Sequence, residues 1–263
     1  MVDQRTSVGS RGKSLAIYLA IPLLVLVIWQ GLSMAGLIRP MILPPPTQVA
    51  EVIWVLIRSG ELGAHVLSST QRVLEGFTLA AVSGLLLGVG IGLFRTVGRF
   101  AELPIQLIKP IPPIAWIPLA ILWFGIGEGA KIYIIFIGAF FPILINTMDG
   151  IRQTDGRFVE LAQILEVPRG RFIRQVIIPG ALPQIMTGLR TGLNISWMCV
   201  VAAELIAASS GVGFLIMDAR QMSQSDVVLA GMATIGVLGK VSDDLLQRLE
   251  NRMMRWRTVF SGN

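Results

Sequence analysis

The chain is poor in the residues that most site chemistry needs. Its 263 residues include one cysteine, Cys199, and one histidine, His65. A lone cysteine excludes a disulfide framework. Neither residue has His, Cys, Asp or Glu around it at metal-ligand spacing, so both are expected to be structural and no metal site is expected. Charge is scarce as well: 14% of the side chains are charged, against about 25% in an ordinary soluble domain. The 22 Lys+Arg and 16 Asp+Glu leave a net charge of +6. The basic residues punctuate apolar runs instead of clustering on a polar surface, which argues against nucleic acid as a partner. A phosphate loop is missing too. Gly12-Lys13-Ser14 has Ser7 where that loop needs its first glycine, and no strand precedes it. Nucleotide is not bound by that route, so any energy source lies in a partner or a gradient. What the chain has in excess is hydrophobic side chains, at 53%. That excludes disorder and predicts a protein of the lipid bilayer.

A helix needs about 20 apolar residues to cross a bilayer. Six stretches qualify: Leu15 to Leu32, then about Val73 to Phe94, Pro104 to Phe124, Ile132 to Met148, Ile185 to Ala208 and Val227 to Leu246. The first is expected to be an uncleaved anchor. Its apolar run is longer than the roughly 7–15 residues of a cleaved signal, and Ser33-Met34-Ala35 is a poor cleavage site. With both termini in the cytoplasm, the inside segments (1–14, 95–103, 149–184 and 247–263) carry fourteen Lys and Arg. The outside segments carry five: Arg39, Arg58, Arg72, Lys131 and Arg220. That bias predicts cytoplasmic termini. In the long outer segment, Leu43-Pro44-Pro45-Pro46-Thr47 is expected to be non-helical. Thr47 is expected to cap a short helix whose Val49, Val52, Ile53 and Leu56 share one face.

Polar and helix-breaking residues inside the spans separate candidate working faces from packing. Gly84, Gly88 and Gly92 form a small-residue stripe; it could be a dimer seam, but packing within one bundle is the favoured reading. The third span holds Pro104, Pro110, Pro112, Pro113 and Pro118, together with Lys109 and Trp116. Segments so interrupted line cavities more often than they face lipid, although Lys109 could simply snorkel to the interface. In the fifth span Thr187, Arg190, Thr191, Asn194 and Met198 fall on one stripe, with Glu204 two turns beyond it. A carboxylate there must face protein or water.

The segment 149–184 is the longest cytoplasmic connection. Leu161, Ile164 and Leu165 share one apolar face, Pro168 interrupts, and Phe172, Ile173, Val176 and Ile177 form a second. Pro179 and Pro183 are expected to close the segment before the fifth span. Glu160-x-Ala162, Glu166 at the seventh position, then Val176-x-Ile178-Pro179 resembles in spacing the EAA coupling loop of ABC-importer permeases. Pro118 to Gly127, Phe141-Pro142-Ile143, Pro179 to Pro183, Ala203-Glu204 and Leu238-Gly239-Lys240 extend the resemblance, from about Leu43 onward, to the nitrate/sulfonate/taurine branch. The sequence departs from that family's pattern at Glu166, where a glycine is usual, and at Leu161, where an alanine is usual.

The resemblance implies an all-α membrane protein with six transmembrane helices and the type I ABC-importer permease fold. It implies an N-terminal region 1–66, a type-1 transmembrane domain 67–250 and a cytoplasmic tail 251–263. The loop residues Glu160, Leu161, Ala162, Glu166, Val176, Ile178 and Pro179 would couple mechanically to an ATPase, with no catalytic residue in this chain. Lys109, Pro112, Trp116, Asn146, Arg190, Asn194 and Glu204 are candidates for the pathway of a small anion or organosulfonate. The implied partners are two ABC ATPase subunits, which hold the ATP and magnesium, a second permease copy and an external solute-binding protein. The implied location is the bacterial inner membrane. A gradient-driven secondary transporter is the alternative, although such proteins typically show paired broken helices in two related halves, and none is evident here.

Overall fold

The computed structural model describes residues 7–39, 41–154 and 156–254. Arg5, Arg255 and Arg257, which enter the positive-inside tally, lie outside these. The described residues are helical and contain no strand. In order they form α1 (Ser7–Met34), α2 (Pro46–Arg58), α3 (Glu61–Leu93), α4 (Arg95–Ile108), a 3₁₀ turn (Pro113–Trp116), α5 (Ile117–Phe124) and α6 (Glu128–Arg152). There follow α7 (Gly156–Ile164), α8 (Arg169–Phe172), a π turn (Ile173–Ile177), α9 (Ile178–Ala207), α10 (Val212–Gln221) and α11 (Ser225–Met253). Four helical stretches among the described residues are long and apolar enough to cross a bilayer, and α4 with residues 113–124 makes a fifth if a pair bent by 87° counts as one span. Residues Ala20–Met34 of α1 add a shorter apolar helix. Each of the six apolar stretches therefore falls on helix, and the third is an elbow instead of a straight span.

The chain divides into two compact units, residues 1–63 with 215–232 and residues 64–214 with 233–263. In the first, the C-terminal end of α1 meets the start of α2: Gln30 Nε2 donates to Thr47 Oγ1 at 3.2 Å, and the Thr47 N–H donates to Gln30 Oε1 at 3.3 Å. Thr47 is not the cap expected of it. Pro45 is the extended N-cap and Pro46 the first helical residue, a position where the missing N–H would have had no intrahelical acceptor anyway. Gln48 Nε2 donates to Asp226 Oδ2 at 3.0 Å, and Ser225 Oγ to the Met41 carbonyl at 2.5 Å.

The second unit is organised around α6. On one side the α3 glycines seat its β-branched residues. A Cβ on Gly76 would lie 2.7 Å from Ile135 Cβ, on Gly84 3.1 Å from Ile143 Cγ2, on Gly88 2.7 Å from Thr147 Cβ and on Gly92 2.9 Å from Ile151 Cβ. Both stripes repeat every four residues, so the two helices run in contact for more than four turns. The glycine stripe is thus packed inside this chain. On the other side α9 approaches as closely, with Gly192 on Ile143 and Gly138 on Cys199. Ile134, Ile135, Ile117, Ala120, Val200 and Ala203 form the main buried cluster between these helices.

Candidate functional site

Three places in the second unit bring the predicted residues together. The first is the connection between α6 and α9. Helix α7 carries Glu160, Leu161 and Ala162, and its apolar face is uncovered: Phe158, Leu161, Ile164 and Leu165 are each at least half exposed. The helix ends in a Schellman-type stop. The Val167 N–H donates to the Ala162 carbonyl at 2.9 Å, and Glu166 between them has φ +50°. That is the left-handed position where glycine carries no penalty, which explains in backbone terms why glycine is usual there and what Glu166 must tolerate. Pro168 then sets the break as the extended N-cap of α8.

The second half of the connection corrects the expectation that Pro179 and Pro183 close it. Residues from Arg169 to Ile206 form one continuous helical rod, with Pro179 in the first turn of α9 and Pro183 inside it. A proline removes one helical hydrogen bond and crowds the carbonyl four residues earlier. The widened turn at Ile173–Ile177, which holds Val176, accommodates Pro179 without breaking the rod. A cavity of about 340 Å³ lies where α6 and α7 meet this rod, lined by Gly150, Thr154, Phe158, Val176, Pro183 and Gln184 among others.

The second place is the elbow. Lys109 ends α4, its N–H donating to the Ile105 carbonyl at 3.0 Å, and Pro112 is extended. Trp116 ends the 3₁₀ turn with its buried indole N–H unpartnered. Behind the elbow is a cavity of about 330 Å³ whose lining includes Lys109, Pro113, Phe141, Ile145, Asn146 and Ile195. Asn146 is already engaged: Nδ2 donates to the Pro142 carbonyl at 2.8 Å, and Oδ1 accepts from Gln184 Nε2 at 3.1 Å. Lys109 is exposed and has no carboxylate partner among the described residues.

The third place is α9 itself. Thr187, Thr191, Asn194 and Met198 are exposed along one face, and Asn194 adjoins Ile195 at the cavity edge. Arg190, expected on the same stripe, instead turns to α11. Its Nε and Nη2 bond both oxygens of Asp243 at 2.9 and 2.8 Å, and Nη1 reaches Glu250 at 3.2 Å. Glu204 also does not face an open route. Its side chain is wholly buried and accepts from Ser69 Oγ at 2.8 Å, Arg72 Nη1 at 2.7 Å and the Gly213 N–H at 2.8 Å.

Around Glu204 lies a network that sequence reasoning missed. Arg72 and Lys131, assigned to outer segments, are buried. Arg72 forks onto Glu128 at 2.5 and 2.8 Å and donates to the Ser210 carbonyl at 2.7 Å, while Lys131 Nζ donates to Glu128 at 2.9 Å. Two cations meet two carboxylates, so the charge balances. Ser69 Oγ and Glu204 take the first N–H groups of α10, and His65 Nδ1 accepts the Gly211 N–H at 3.1 Å. These are donors that a helix start leaves unsatisfied. Gly211 sits at φ +114°, where a Cβ would fall on the Glu204 carboxylate. The available signal was Glu128 and Lys131 one turn apart in an apolar helix.

The model of the family described as binding-protein-dependent transport system inner membrane component matches residues 81–255. The putative aliphatic sulfonates transport permease protein SsuC of Bacillus subtilis is 40% identical over 244 residues, covering 93% of this chain and 88% of that protein. The taurine transport system permease protein TauC of Escherichia coli is 36% identical over 237 residues, 88% of this chain and 86% of that one. A chain of the MetNI methionine ABC transporter, in an inward-facing conformation, shares the fold with a TM-score of 0.61 at 18% identity, over 76% of this chain and 97% of that chain.

Proposed function

The chain belongs to the binding-protein-dependent transport system inner membrane components, and on that premise we propose that it forms half of the pathway of an ATP-driven importer for a small anion or organosulfonate. It is a multi-pass membrane protein and a transport subunit, not an enzyme, and the family sets aside a gradient-driven secondary transporter. In this reading two copies form the pathway in a bacterial cytoplasmic membrane with their termini inside. Two ATPase subunits, which hold the ATP and magnesium, grip the 160–179 segments, and an external solute-binding protein delivers the cargo.

The observation that carries the proposal is the exposed apolar face of α7, next in the chain to a rod that runs unbroken from Arg169 to Ile206. Apolar side chains left open beside a rigid helix suit a docked partner. Displacement of that partner moves α9 as one body, and no covalent chemistry is asked of this chain. Its substrate reading rests on the sulfonate and taurine permeases it resembles. The open face of α9 and the elbow cavity are the route assigned to the cargo.

Tagged protein co-expressed with the products of its neighbouring genes tests the coupling. The wild type retains the ATPase in detergent and Glu160→Lys loses it. A wild type that brings down no ATPase even at low salt, where charge contacts are least screened, overturns the proposal.

A further inference from the structure

The elbow cavity narrows the cargo. Its volume, about 330 Å³, lies at the small end of ligand-sized pockets. Among the described residues its lining carries one charge, Lys109, and no carboxylate. Ile111, Pro113, Ile137, Phe141, Ile145 and Ile195 make the walls apolar. Asn146, the other polar side chain there, commits one amide N–H to the Pro142 carbonyl and its oxygen to Gln184, so it ties α6 to α9 and keeps a single N–H for a ligand. One exposed cation in the lining of an apolar cavity is complementary to an ion with one anionic head and a hydrocarbon tail. An inorganic anion would have to shed its water against walls that, Lys109 aside, return a single amide N–H. A zwitterion would bring an ammonium group to a chamber with no carboxylate.

We propose that this cavity is a permease subsite for short aliphatic monoanions, with Lys109 pairing the head group and Phe141, Ile145 and Ile195 selecting for an alkyl chain. The proposal rests on the importer reading above and adds a specificity determinant that lies in the permease, apart from any choice made by the binding protein. Lys109 is exposed and lies at the end of α4, so replacing it leaves the fold intact.

The test uses the permease–ATPase complex in lipid nanodiscs, without binding protein, and follows butane-1-sulfonate by saturation-transfer NMR. The alkyl protons receive saturation from the wild type. Affinity tightens about fourfold for each methylene from methanesulfonate to butanesulfonate, the increment of a buried CH₂. Lys109→Gln weakens butanesulfonate at least tenfold, Lys109→Arg restores it, and Ile145→Asn flattens the chain-length trend. Nitrate and taurine compete at least tenfold less well. Equal competition by nitrate overturns the proposal, as does a Lys109→Gln complex that binds like the wild type. A complex that keeps its ATPase but shows no butanesulfonate signal overturns the subsite alone, whereas a permease that never retains an ATPase overturns the importer reading beneath it.

Discussion

Helix α9 carries polar residues at both ends of its membrane stretch, and the two ends are built in opposite ways. Glu204 is wholly buried, with both carboxylate oxygens taken by Ser69, Arg72 and the start of α10. Thr187, Thr191 and Asn194, about three to five turns earlier, are exposed. The same helix thus uses polarity once to clamp the ends of α3, α6 and α10 and once to present a wettable face. A polar residue in an apolar helix is costly unless it is paired or wet, and these two regions take one solution each. Arg190, placed among the exposed residues in sequence, lies between the two regions in character, half-buried and forked onto Asp243. The comparison teaches that polarity in a membrane helix marks a constraint, and that only the surrounding packing says whether the constraint is structural or functional.

Substitutions that break the closed end have the largest effect. Glu204→Ala takes from the buried Arg72 guanidinium its fully buried carboxylate, leaving it Glu128 and Ser210, and uncovers the N–H of Gly213. Removing one partner of a buried pair costs about 3–5 kcal/mol, seen as a fall in the thermal unfolding midpoint of the purified protein. Glu204→Gln keeps an acceptor and loses less. Gly211→Ala follows, because a side chain at φ +114° is strained by about 1–3 kcal/mol and meets the carboxylate too. Arg190→Gln comes next at about 1 kcal/mol, since the pair with Asp243 is partly solvated and screened. Asn194→Ala sits at the small end for stability, within about 0.5 kcal/mol, while ATP-driven uptake by reconstituted complex falls. Uptake unchanged in Asn194→Ala alongside a large loss of stability would erase the distinction between the two ends.

Much of this arrangement was legible in local sequence because it is set by local period. The six apolar stretches are on helices, the α3 glycines at spacings of four pack on α6, and the Glu160-x-Ala162 segment is a short helix with an open apolar face. Glu166 was marked by its departure from glycine, and its positive φ gives the reason. The illegible part depends on distance along the chain. Arg190 finds Asp243 and Glu250 only because α9 and α11 pack side by side, and Arg72 finds Glu204 only across α3 and α9. No spacing rule connects those pairs. Prolines misled for a different reason: Pro179 and Pro183 read as breakers, yet Pro179 falls in the first turn of α9 just after a π turn, and the rod continues through Pro183. Pro46 read as a non-helical residue, yet it opens α2.

The claim that the open face of α9 borders an aqueous route can be tested by thiol accessibility. Asn194→Cys is placed in the full complex in membranes and treated with a charged, membrane-impermeant thiol reagent. Buried Cys199 is the internal control, and Leu86→Cys, on an exposed apolar face, is the control for contact with lipid. The account predicts that the cysteine at 194 is modified while Cys199 and the cysteine at 86 are not, and that the rate at 194 changes when ATP and loaded binding protein drive the complex. A cysteine at 194 as inert as the one at 86, with and without ATP, would place that face against lipid or a packed partner and contradict the account.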